Sequence, residues 1–171
     1  MKKLLILCAA LLLSAGVLQA QKFGKGTQTI KLGVGINNFS VPVMAEYELG
    51  IVDNLATVSG LGLGVGGYAG FYHHKLHGRN NNFYVGTQGL AHYMPVSNLD
   101  VYVGAMIGAR FRTGKHSGDD KNVLEEASRV LPTITPVAGG RYQLTPGFGV
   151  YANLAIDHGV YFACAGIAFE F

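Results

Sequence analysis

The chain reads as an all-β protein, an eight-stranded antiparallel up-and-down transmembrane β-barrel, and three observations carry that reading. Eight segments place apolar side chains at every second position, the period of a strand with one face in an apolar medium. The mid-segment charges Lys31, Glu46, Glu48, Arg110 and Arg141 all fall on the opposite parity. The last segment runs to an aromatic chain end, Ala168-Phe169-Glu170-Phe171, and a strand that stops there leaves an unpaired edge unless it closes onto the first strand.

Ahead of the first strand lies a leader. Met1-Lys2-Lys3, the apolar run Leu4 to Leu13 and the small-residue stretch Ser14 to Ala20 have the three regions of a secretory signal peptide, so residues 1–20 are assigned to a cleaved leader and 21–171 to the barrel domain. Leu18-Gln19-Ala20 departs from Ala-x-Ala at its first position, which leaves a residue or two of freedom in the cut. A lipoprotein signal on Cys8 is rejected because Leu7 is too bulky and too little apolar chain precedes it. Without Lys2 and Lys3, 11 basic residues face 10 acidic ones, so charge gives no argument for nucleic-acid binding. Without Cys8, Cys164 has no partner in the chain and a disulfide framework is excluded. Charged residues at 13% and 25 glycines suit strands exposed to lipid.

The first segment, 27–36, sets Ile30, Leu32, Val34 and Ile36 against Thr29, Lys31, Gly33 and Gly35. The second, 41–52, sets Val43, Ala45, Tyr47, Leu49 and Ile51 against Met44, Glu46, Glu48 and Gly50. The third, 55–72, opposes Leu61, Leu63, Val65, Ala69 and Phe71 to Gly60, Gly62, Gly64, Gly66, Tyr68 and Gly70. The fourth, 82–96, is weaker, with Phe83, Val85, Ala91 and Tyr93 against Tyr84, Gly86, Gln88 and His92. In the fifth, 99–112, apolar Val101 to Phe111 alternates without a break with Asp100, Tyr102, Gly104, Met106, Gly108, Arg110 and Arg112. The sixth (133–144), seventh (148–157) and eighth (159–171) follow the same rule, the last with Tyr161, Ala163, Ala165, Ile167, Phe169 and Phe171 on its apolar side.

Short turns are expected at Asp53-Asn54, Ser97-Asn98 and Thr145-Pro146-Gly147 on one rim, and long connections over 75–81 and 114–132 on the other, the asymmetry of an outer-membrane barrel. A Lys or Arg facing mid-bilayer costs about 2–4 kcal/mol, so the charged face must point inward. Outward aromatics then form two girdles: Phe71, Phe83, Phe111 and Tyr161 toward the long-loop rim, and Tyr93, Phe148, Phe169 and Phe171 toward the short-turn rim. The uncharged stretch 54–72 is not a membrane helix, because six glycines between Gly60 and Gly70 each cost a helix about 1 kcal/mol and most keep strict alternation.

Gly62-Leu63-Gly64-Val65-Gly66-Gly67 matches a dinucleotide fingerprint in spacing, yet that motif needs a strand-to-helix turn and here the strand continues. Glycines make space in a barrel whose interior is just wide enough for side chains. Into that space the sequence sends a structural polar network of Lys31, Glu46, Glu48, Asp100, Arg110, Arg141 and Glu170, with Lys31 opposite Glu46 if the first hairpin turns over Asn37 to Ser40, and Arg141 beside Asp100. The second hairpin is expected to set Glu46 and Glu48 against Gly62 and Gly60. His73, His74 and His77 lie at a strand end, but no Cys, Asp or Glu joins them in that loop; they read as exposed polar loop, not metal ligands. The loop 114–132 carries nearly balanced charge, with Asn122 positioned to cap a short helix, and reads as a solvated lobe available for contacts with protein or lipopolysaccharide. Cys164 points inward as a small filler.

Gly33-Val34-Gly35, Glu46-Tyr47-Glu48-Leu49-Gly50-Ile51, Gly66-Gly67-Tyr68-Ala69-Gly70, 98–104 and Ala168-Phe169-Glu170-Phe171 together resemble the small eight-stranded outer-membrane β-barrel proteins of Gram-negative bacteria. The resemblance implies location in the cell outer membrane, contact with outer-membrane lipids and lipopolysaccharide, and a terminal aromatic, Phe171 with Phe169, read by the barrel-assembly machinery. It implies no cofactor. Barrels of this shape include adhesins, membrane stabilisers and lipid-modifying enzymes, so shape does not choose among them.

The reading that follows is a non-enzymatic integral membrane protein with a filled polar lumen and loops as contact surfaces. A lipid A-modifying enzyme is the alternative, but its His-x-Ser pattern is missing: His116 and Ser117 are adjacent in a polar loop. A small channel for ions or hydrophobic molecules needs an open or apolar lumen, which the inward charges and tyrosines oppose. A soluble ligand-binding barrel would have its faces inverted.

Overall fold

A computed structural model describes residues 23–37, 40–58, 60–74, 80–114, 129–156 and 160–171. The leader assigned to 1–20, His77, most of the 114–132 loop with Asn122, His116 and Ser117, and the 157–159 segment lie outside the described residues. Eight strands, β1 (Gln28–Ile36), β2 (Val43–Val52), β3 (Leu61–His74), β4 (Asn80–Val96), β5 (Leu99–Gly114), β6 (Arg129–Thr145), β7 (Phe148–Ala155) and β8 (Ala163–Glu170), pair antiparallel in sequence order. β1 also pairs with β8, from Thr29↔Glu170 to Ile36↔Ala163, and the sheet closes with no free edge. This is the eight-stranded antiparallel barrel that the alternation predicts.

The faces sort as the charge argument requires. Ile107, Val103, Ile134 and Leu154 point outward and are exposed, whereas Lys31, Glu48, His92, Tyr84 and Met106 point inward and are buried. An exterior of aliphatic side chains around a polar interior inverts the pattern of a water-soluble barrel. Phe71, Phe83 and Phe111 lie side by side in register, with the Phe83 and Phe111 ring centroids 6.4 Å apart, as an aromatic band near the long-loop rim. Phe148 and Phe169 pair near the short-turn rim at 5.5 Å, and Tyr93 and Phe171 are exposed.

Three expectations are corrected. The second strand begins at Val43, after Pro42. The third begins at Leu61, and the link before it is no two-residue turn. Asn54 (φ 51°) and Ala56 (φ 53°) are left-handed, a 3₁₀ turn spans Leu55–Thr57, and Gly60 reverses the chain at φ 84°. This longer link moves the hairpin register, so Glu48 faces Gly66 and Glu46 faces Tyr68 instead of Gly60 and Gly62.

The third correction lies before β8, where Phe162 sits in a bend between Tyr161 and the strand. Strict parity placed Tyr161 outward, but it is fully buried and its hydroxyl donates to Met106 Sδ at 3.6 Å. Phe162 takes the outward position and is exposed. The Phe162 amide bonds to the Ile36 carbonyl and its carbonyl accepts from the Ala155 amide, so both neighbouring strands hold the bend.

Candidate functional site: the filled lumen

Period-two geometry sends every other residue of each strand into the lumen, and the barrel is too narrow to leave those side chains in bulk water. A buried charge persists where other charges and hydrogen bonds meet it. The lumen is organised around that requirement.

Lys31 on β1 anchors one end of a continuous chain of contacts. Its Nζ stands 2.9 Å from Glu46 Oε2, an ionic contact without hydrogen-bond alignment, and 3.4 Å from Glu48 Oε2, both acids on β2. Glu48 Oε1 lies 2.5 Å from His92 Nε2 on β4. His92 Nδ1 lies 3.0 Å from both oxygens of Asp100 on β5. The Arg141 Nη2 group on β6 donates to Asp100 at 3.0 Å and stands in ionic contact with Glu170 on β8 at 2.8 Å. Its Nη1 donates to Thr29 Oγ1 at 2.7 Å. Gln143 donates to Glu170 at 2.9 Å. On the other side, Asn153 of β7 accepts from Tyr102 and donates to Glu46 at 3.3 Å. Lys31 Nζ also sits 4.7 Å from the Tyr102 ring centroid, a cation–π distance.

Seven strands supply these polar side chains, and beside Glu48 runs the glycine-rich part of β3. Its lumen face at this level is Gly62, Gly64 and Gly66, and a Cβ built on Gly64 would collide with Glu48 Oε1. The wall left bare by β3 is the space the carboxylate fills. Gly33 does the same for Tyr151, whose hydroxyl occupies the place of the missing Cβ. The fingerprint-like glycines 62–67 lie wholly inside β3, paired with β4 throughout and followed by more strand.

Of the residues singled out by sequence, Lys31, Glu46, Glu48, Asp100, Arg141 and Glu170 are brought together. Arg110 is not: it points inward in the outer half of the barrel, half-buried beside the phenols of Tyr84 and Tyr72, which bond to each other at 3.1 Å. Glu170 joins Arg141 and Gln143. Sequence reasoning missed His92, the link between the two halves of the network. Its inward parity in β4, level with the charged face of the neighbouring strands, was the available signal. Cys164 is buried, with the Tyr151 hydroxyl 3.6 Å from its sulfur. His73 Nδ1 meets the Asn81 side chain at 2.8 Å on the exposed rim. Among the described residues no cluster of three or more His, Cys, Asp or Glu is arranged to hold a metal.

No protein-family model matches the chain, and no curated protein matches it in sequence. Solved structures match its fold. The N-terminal β-barrel domain of Pseudomonas aeruginosa OprF aligns over 86% of this chain and 99% of its own, with a TM-score of 0.60 and 18% identity. A de novo designed transmembrane β-barrel aligns over 88% of this chain and all of its own, at 0.55 and 20%. The Yersinia pestis outer membrane protein Ail aligns over 86% of this chain and all of its own, at 0.54 and 14%. The fold is therefore that of the small transmembrane β-barrels.

Proposed function

We propose that this chain is an integral protein of the bacterial outer membrane with a non-enzymatic role, a plugged barrel that holds its long-rim loops toward the exterior as contact surfaces. The observation that carries this reading is the cross-lumen network from Lys31 to Glu170, which fills the interior with paired side chains. An exposed belt of aliphatic residues bounded by Phe71, Phe83 and Phe111 at one end and Tyr93 and Phe171 at the other supports residence in lipid. The surrounding partners are outer-membrane lipids and lipopolysaccharide, and Phe171 with Phe169 is the element presented to the assembly machinery.

Planar-bilayer recording of the purified barrel tests the plugged lumen: a flat baseline is expected, and stepwise currents from the wild-type protein would refute it. Mass spectrometry of lipid A from a deletion strain tests the non-enzymatic role. An altered lipid A species restored by the wild-type gene would overturn it.

A further inference from the structure

The residues just ahead of β1 do not trail away from the barrel. Phe23 is buried, and its ring lies flat on His92, centroids 3.7 Å apart at an interplanar angle of 19°. The same ring stands 5.7 Å from the Arg141 guanidinium. Both partners belong to the charge network, so the phenyl group caps that network at the short-turn mouth. The wall around the ring is bare. A Cβ on Gly64 would come within 2.9 Å of Phe23 Cζ, and one on Gly62 within 3.4 Å of Cδ1. At Gly50 an added Cβ would collide with the Gly24 carbonyl.

The backbone is fastened as well. Phe23 N–H points at Met94 Sδ at 3.1 Å, and the Gly24 carbonyl accepts from Thr27 N–H at 3.1 Å. Gly26 N–H donates to the Gly50 carbonyl and Gly50 N–H to the Thr27 carbonyl, both at 2.8 Å. Gly26, at φ 91°, makes a bend that few other residues adopt.

We propose that Phe23–Gly26 is a self-inserted plug, and that the recess formed by Gly50, Gly62, Gly64, His92 and Arg141 is a binding site for an aromatic side chain, filled in cis by Phe23. The recess sets the flat His92 ring and the Arg141 guanidinium beside side-chain-free walls, which is the chemistry that receives the face of an aromatic ring. Phe23 in place excludes water from His92 and Arg141 and closes the lumen from the side of the chain termini. This inference rests on the lumen geometry and not on the proposed cellular role.

Limited trypsin digestion of the refolded mature barrel tests it, with cleavage after Lys25 followed by intact mass. Wild type is expected to retain the Lys25–Gly26 bond several-fold longer than Phe23→Ala or the recess-filling Gly62→Val, with heat-modifiable gel mobility confirming that each variant is folded. Phe23→Leu, which keeps an apolar side chain without a π face, reports on the imidazole: the ring-current shift that Phe23 adds to the His92 protons in NMR spectra, beyond that of the Tyr102 ring 5.1 Å away, is expected in wild type and lost in both Phe23 variants. Equal cleavage rates in wild type and Phe23→Ala, or the same His92 proton shifts in wild type and Phe23→Leu, would overturn the proposal. Bilayer currents and lipid A composition decide the proposed function separately, so the two readings fail by different measurements.

Discussion

Replacing Lys31 by Met tests the energetics of the network most directly. Methionine keeps most of the volume and the apolar stem, so the change removes the ammonium group with little cavity. Two carboxylates then lose their common cation, Glu46 from 2.9 Å and Glu48 from 3.4 Å, with all three side chains buried. Removing one partner of a buried ion pair typically destabilises by about 3–5 kcal/mol, and with two acids stranded the loss should fall within that range. That corresponds to about two to four orders of magnitude in the unfolding equilibrium. Equilibrium urea unfolding in phospholipid vesicles measures it, with folded fraction read from heat-modifiable mobility. Adding Glu46→Gln removes one stranded charge and should recover about 1 kcal/mol or more, because contacting sites couple by about 0.5–3 kcal/mol. A Lys31→Met loss below about 1 kcal/mol, the scale of exposed ion pairs, would refute the argument that these charges are held out of water by mutual pairing.

Further predictions probe the exterior, the buried thiol and the chain end. Ile107→Arg places a cation on the mid-strand outer face of β5 and should cost about 2–4 kcal/mol in the same vesicle assay, since Ile107 is exposed on the apolar face beside Ile134 of β6. Cys164 should resist DTNB in the folded, detergent-solubilised barrel and react fully after denaturation; fast labelling of the folded form would contradict its burial. Deleting Phe171, whose amide and carbonyl bond to Gln28 at the β1–β8 seam, should lower the yield of heat-modifiable barrel in cells. Normal yield would count against its role in assembly.

The strands and their facing were legible because a lipid-bounded barrel imposes one rule on every residue: odd and even positions meet different media. That rule placed Lys31 opposite Glu46 and Arg141 beside Asp100 as the register has them. It failed where the backbone leaves the extended region. Left-handed Asn54 and Ala56 add a 3₁₀ turn with no apolar periodicity to announce it, so the Glu48 partner was misplaced. The bend at Phe162 reverses parity for Tyr161, and two adjacent aromatics gave no cue to which turns inward. His92 went unassigned because its role depends on reach across the lumen from Glu48 to Asp100, strands β2 and β5. Parity carries no information about distance across a barrel. The same limit hid Phe23, which lies ahead of the first alternating segment and is buried by contacts with β4 and β6.

The seam between the first and last strands gives the charge network a second consequence. A one-residue slip of β8 along β1 would turn its apolar face inward and is forbidden by solvation alone. A two-residue slip keeps every outward residue outward, and the aliphatic belt cannot tell it from the native pairing. That slip moves Glu170 about 7 Å along the strand, two rises of a β-strand. Glu170 would leave Arg141 and Gln143, and the Thr29 hydroxyl that receives Arg141 would face a different row. The lumen charges therefore check a quantity the exterior leaves undetermined, the stagger with which the barrel closes, and they check it only when the last strand to be made meets the first.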